Sequence, residues 1–206
     1  MQALLKWTLE TIREEESCFS WMEEYRYEWA PLVKNAVSQT VEGKTVLIVT
    51  DESRKWFGKY ILNAINDLRK HRPLLPFYQL SACFPNLQAI HTTEDIELLE
   101  DMLELSYPQG YYIWYIGKGD HPYTKLAYRN HGNFLWVLDE EVQNAFLLRS
   151  ADGLLDIKLL QLYKLFDSTL SATLFGELDL ESWVSLLHHK YWSPPIWKRH
   201  WANWWH

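Results

Sequence analysis

Residues 45–62 read TVLIVTDESRKWFGKYIL, and this stretch decides the fold class. The unbroken apolar run Val46-Leu47-Ile48-Val49 predicts a strand buried on both faces, as in a parallel sheet. Asp51 or Ser53 is suited to cap a helix in which Phe57, Ile61, Ala64, Ile65 and Leu68 recur at helical spacing. A strand that feeds a helix through a short polar loop is the first half of a βαβ unit. Open α/β sheets collect ligands at the carboxyl ends of such strands, so Thr50 to Arg54 is where a small-molecule site is expected. That loop carries two carboxylates and no glycine, a poor start for a phosphate cradle made of backbone N–H groups. Arg54 and Lys55 would attract an anion, but the simpler reading makes Asp51 and Ser53 caps and the two bases a solvated face.

Outward from this stretch, strands and helices alternate. Residues 2–39 predict helix in pieces, interrupted at Glu14-Glu15-Glu16, with Pro31 in the first turn of a renewed helix that Glu42-Gly43-Lys44 ends. The aromatics Trp21, Tyr25 and Trp29 in that region are read as core. A second strand is expected over 75–80, since proline at its margins suits strand entry. A helix over 93–105 follows, capped by Thr92 or Thr93. Strands over 111–116, 133–138 and 144–148 come next, with a short helix over 123–129 between the first two. The loop from Gly117 to Asp120 after the third strand is a second ligand wall. A long helix over 154–175 has Leu155, Leu159, Leu162, Phe166 and Leu170 on one side. Ile157, Leu160, Leu174 and Phe175 project elsewhere and need another cover: a subunit, a partner, or the chain's own tail. Strand–helix alternation of this kind implies a three-layer, doubly wound parallel sheet.

The net charge of −7 argues against direct nucleic-acid binding, which needs clustered bases. Cys18 and Cys83 form neither a metal nor a redox motif, so a reducing cytoplasm is expected. No signal peptide or membrane-spanning run is visible. Histidine spacing offers no metal site, no nucleophile signature is present, and no cofactor is implied. Glu52 is the best lone candidate for a general base, although carboxylates in such loops are usually caps. Twelve tryptophans are unusual, and half lie after residue 180. The division is thus a 1–178 α/β domain and a 179–206 extension, in which a helix over 178–189 precedes a tail of Trp197, Trp201, Trp204 and Trp205 among Lys198, Arg199, His200 and His206. Burial against this or a neighbouring chain is the leading reading of that tail; a membrane-surface or base-stacking role is the competitor.

Five segments taken in order are TDESRKWFGKYIL, RPLL, YIWYIGK, FLWVL and LLDIKLLQLYKLF. Together they resemble the HobA family, bacterial proteins that bind the replication initiator DnaA. More distantly the chain is similar to the DiaA proteins, which have the sugar-isomerase (SIS) fold. The resemblance implies an SIS-like sandwich with a five-stranded parallel sheet and assembly into a homotetramer. It further implies a non-enzymatic role, presenting several copies of the DnaA N-terminal domain at the chromosome origin. Of the glycines and serines that SIS proteins place after the first strand, only Ser53 remains. The resemblance therefore makes Asp51, Ser53, Arg54, Gly117 and Lys118 a vestigial ligand loop, and leaves a phosphosugar enzyme or sensor as the alternative. It also implies partner contacts at Arg72, just before a proline, and at the Leu174-Phe175 pair ending the last helix.

Overall fold

The computed structural model describes residues 1–14, 19–121, 123–130 and 132–180. Strands β1 (Thr45–Thr50), β2 (Phe77–Gln79), β3 (Tyr111–Lys118), β4 (Phe134–Leu138) and β5 (Ala145–Leu148) form one sheet in the order β2-β1-β3-β4-β5. Every adjacent pair is parallel. Helices α1 (Gln2–Glu14), α2 (Met22–Val41), α3 (Lys55–Ile65) and α7 (Leu155–Leu174) contribute to the core on one face. The other face is covered by α4 (Leu80–Cys83), α5 (Thr93–Ser106) and α6 (Thr124–Tyr128). Every residue of β1 after Thr45 is buried, as are Tyr112 to Gly117 of β3. Helices on both sides leave these strands no wet face, which is why they read as continuous apolar runs.

Alternation along each strand splits the core in two. Val46, Ile48, Trp114, Ile116, Phe134 and Trp136 point to the α2/α7 side, whereas Leu47, Val49, Ile113, Tyr115, Leu135 and Val137 point to the α5 side. The first side is dominated by rings. Trp114 lies 4.7 Å from Phe166 and 5.1 Å from Trp136, and Trp29 of α2 adds its ring 5.7 Å from Trp136. Trp29 is therefore core, while Tyr25 and Tyr27 stay exposed. The second side of α7 is not left bare. Of that second set, Leu160 and Leu174 are half-buried against the same core cluster to which Leu4 and Ile12 of α1 belong. Only Ile157 and Phe175, at opposite ends of α7, remain exposed.

Local expectations and outcomes differ in two places. Pro31 does not restart a helix; it sits inside a continuous α2. Proline there deprives the Tyr27 carbonyl of its i+4 donor, but Tyr27 and Pro31 both face solvent, where water can replace that bond. The β4–β5 connection spans only residues 139–144, short for a parallel crossover. Its ends, Asp139 and Asn144, take left-handed backbone with φ of 67° and 58°, a conformation that Asp and Asn tolerate well. By contrast α5 begins as its sequence predicts. The Thr92 hydroxyl accepts from the Asp95 N–H, and the Asp95 carboxylate accepts from the Thr92 N–H, a complete capping box. Thr92→Ala is expected to cost about 1 kcal/mol, read as a lower urea midpoint at unchanged slope.

Candidate functional site

The order β2-β1-β3-β4-β5 reverses direction between β1 and β3, which makes their carboxyl ends the topological switch point of the sheet. The two loops singled out by sequence do meet there, but they hold each other. The Asp51 carboxylate accepts from the Arg54 backbone N–H at 3.0 Å, from the Arg54 guanidinium at 3.0 Å and from the Lys118 backbone N–H at 3.0 Å. An internal carboxylate thus takes the donors a phosphate would want. Gly117 permits that approach, because a Cβ on it would lie 3.1 Å from the Asp51 Cβ and 2.7 Å from the Tyr115 hydroxyl. The Tyr115 hydroxyl donates to the Lys118 carbonyl at 2.7 Å. Burial, with Asp51 nearby, pushes this phenol's pKa up and keeps the donor protonated. Ser53 and Lys118 are exposed, and Glu52 pairs with Lys55 at 2.6 Å on the surface.

Beside this lock is a cleft of about 70 Å³ lined by Thr50, Glu52, Gln79, Leu87 and Tyr123. Ligand pockets usually have several hundred cubic ångströms. Sugar phosphates are therefore expected to leave the melting temperature unchanged, since a ligand without a native-state site gives no stabilisation. A saturable rise with one of them would reopen the phosphosugar reading.

The expected partner residues lie at the far end of α7. Arg72 faces inward, its side chain 2% exposed. Its guanidinium pairs with Asp167 of α7, donates to the Ser171 hydroxyl at 2.7 Å and donates to the Ile65 carbonyl at 2.7 Å. Lys70 joins the same carboxylate at 2.6 Å. This cluster fastens the 68–74 segment to α7. On that segment Leu68 and Leu74 are exposed. The spacing predicts Leu68 on the buried stripe of α3, but that helix ends at Ile65 and Leu68 opens a separate short turn, Leu68–Lys70, so it turns to solvent. Tyr163, one turn before Asp167, is buried, and burial together with that carboxylate pushes its phenol's pKa up.

After Leu174, which is half-buried, α7 closes on Gly176 with φ of 79°. The Gly176 N–H donates to the Thr173 carbonyl at 3.2 Å and the Glu177 N–H to the Ala172 carbonyl at 2.8 Å. This paired closure turns the chain sharply. Leu178 and Leu180 return to the core, and Phe175 is left on the corner, 52% exposed. So Phe175 is accessible, Leu174 supports it from the core margin, and Arg72 is held beneath.

A family model described as HobA, DNA replication regulator, matches residues 1–180. The chain belongs to the HobA family. It is 32% identical over 187 residues to the DNA replication regulator protein HobA of Helicobacter pylori, an alignment covering 87% of this chain and all of that one. Among solved structures it is similar to a HobA–DnaA (domain I-II) complex from H. pylori, with TM-score 0.68, 30% identity, and coverage of 84% of this chain and 97% of that one. It is also similar to H. pylori HobA by itself, with TM-score 0.65, 28% identity and the same coverage. The HobA sheet thus supports a replication regulator here. Among the described residues no helix is long and apolar enough to cross a membrane.

Proposed function

We propose that this chain is a non-enzymatic cytoplasmic adaptor that binds the N-terminal region of DnaA and promotes its assembly at the chromosome origin. The observation that carries this reading is the likeness, at 30% identity and over nearly the whole of the matched chain, to HobA in complex with DnaA domains I-II. The partner surface is placed at the α7 corner, with Phe175 as the anchor and Leu174 behind it. An exposed aromatic on a rigid, closed helix end suits an interface hot spot, because little side-chain entropy is lost on binding. Arg72 is assigned a positioning role: it holds α7 and the 68–74 segment in register, and Leu68 and Leu74 on that segment extend the apolar surface. The locked loops at the switch point support the non-enzymatic reading.

The mechanism is avidity. A homotetramer presents several equivalent corners, and each DnaA molecule bound raises the local concentration of DnaA for the next event at the origin. No contact between this acidic chain and DNA is required. The test is retention of this chain on immobilised DnaA domains I-II from the same organism. Retention at micromolar concentration is expected, and failure to retain it would overturn the proposal.

A further inference from the structure

The face opposite α7 carries an apolar groove that the replication role leaves unused. It has a volume of about 210 Å³ and runs between the 84–90 segment and α5, lined by Phe84, Ala89, Ile90, Leu98, Leu99 and Met102. Along α5, Leu98, Met102 and Leu105 recur at i, i+4 and i+7, so they form one stripe about 60° wide. Leu98 is 68% and Leu105 85% exposed, although the helix has a separate buried stripe of Ile96, Leu99 and Leu103. Beside the exposed stripe run Glu94 and Asp101, with Glu97 and Glu104 further round the same flank. The helix has no base of its own, and of the described ion pairs to it only Arg129 answers its charge, at Glu97 and Glu100. The result is an apolar strip with a negative rim.

One segment of the same chain has the complementary pattern. Beyond residue 180, where the family match ends, the sequence contains Lys190, Lys198 and Arg199 against the single acid Glu181. Trp197, Trp201 and Trp204 recur at i, i+4 and i+7, the spacing of the stripe on α5. Ser193-Pro194-Pro195 just before them is a helix-start signal. Length is no obstacle. Layers of an α/β sandwich are about 10 Å apart, and twenty-six residues reach more than about 80 Å when extended.

We propose that residues 194–206 dock as an amphipathic segment in the groove between residues 84–90 and α5, with tryptophans against Leu98, Met102 and Leu105 and with Lys198 and Arg199 against the acidic rim. The family match ends at residue 180, before this segment, so the contact is a feature of this chain and is separate from the partner surface proposed on α7. Docking covers exposed leucines and places charge on charge, and its electrostatic part weakens with salt.

The test is zero-length carbodiimide cross-linking of the full chain, which joins amines to carboxylates already in contact, followed by peptide mass spectrometry. The expected product joins Lys198 to Asp101 or Glu104, and its yield falls in high salt. In Leu98→Ala/Leu105→Ala the yield is expected to drop about tenfold, as for a loss of about 1.4 kcal/mol of docking free energy. Both leucines are exposed, so that variant keeps its fold, verified by an unchanged circular dichroism melt. Trp197→Ala/Trp201→Ala is a second variant and is expected to behave alike, with its fold checked by the same melt. Absence of any Lys198 cross-link to 93–106, or an equal yield in the Leu98→Ala/Leu105→Ala chain, would overturn the proposal. Cross-links from Lys198 to a different surface would do the same.

Discussion

Asp51→Ala is expected to lower stability by about 3–5 kcal/mol, the cost of breaking a buried ion pair by deleting one partner. The side chains of Asp51 and Arg54 are 6% and 10% exposed, so the variant strands the guanidinium where water reaches it poorly. It also leaves the N–H groups of Arg54 and Lys118 without their acceptor, at the junction of the first and third strands. Asp51→Asn should lose less, because its one amide oxygen can still accept from one of the two backbone donors, which sit on different oxygens of the carboxylate. Denaturant titration measures both values. The same variant reads out what the site has become. Removing the internal carboxylate leaves an anion-shaped gap framed by two N–H groups and a guanidinium. Inorganic phosphate or formate should therefore raise the melting temperature of Asp51→Ala and leave that of the natural chain unmoved. Equal shifts in both would mean that the lock described at the switch point is not closed.

Phe175→Ala should weaken binding of DnaA domains I-II by about thirtyfold or more, corresponding to about 2 kcal/mol at a hot-spot residue. Stability should change little, because the ring is half in solvent and the helix closure beneath it depends on Gly176 and backbone bonds. Leu174→Ala combines both effects, since that side chain packs on the core. Arg72→Ala is expected to act differently. It releases the 68–74 segment from Asp167 and Ser171, so it should lower both stability and affinity, with the affinity partly restored by Arg72→Lys through the charge on Asp167. Isothermal titration with each variant separates the anchor from its support. Normal affinity of Phe175→Ala would move the partner surface away from the α7 corner.

Much of the architecture was legible because it rests on patterns with one physical meaning. The run from Val46 to Val49 is apolar without alternation, and only a strand covered on both faces explains it at that length. Thr92 and Asp95 are a cap pair at the required spacing. The positions of the third, fourth and fifth strands followed from their apolar runs. What escaped the sequence depends on contacts distant along the chain. Nothing local says that Pro31 lies within a helix, since that depends on Tyr27 facing water. The four-residue helix starting at Leu80 is too short to show a period. α1 shares its core cluster with α7, some 150 residues later, and no spacing along either helix reports it.

The candidate site was legible in part. Phe175 stood out as an apolar residue on the wrong side of its helix, and it is exposed as that reading requires. Arg72 was expected at a partner contact because the family resemblance implies one just before a proline. It is buried because Asp167 and Ser171, on a helix almost a hundred residues later, supply its partners. Asp51 was read as a cap, which it is, but its larger role of holding the Lys118 N–H is a tertiary contact. The helix expected over 178–189 and the tryptophan tail lie outside the described residues, apart from Leu178 and Leu180, which pack on the core.

The central claim is that this sheet works by gathering copies of DnaA rather than by acting on a small molecule. Light scattering on a column loaded with the full chain and excess DnaA domains I-II tests it most directly. The predicted particle has the mass of four chains plus more than one DnaA fragment, and it returns to four chains alone when the fragment is omitted. A particle of one chain, or a tetramer that gains no mass with the fragment present in excess, would contradict it.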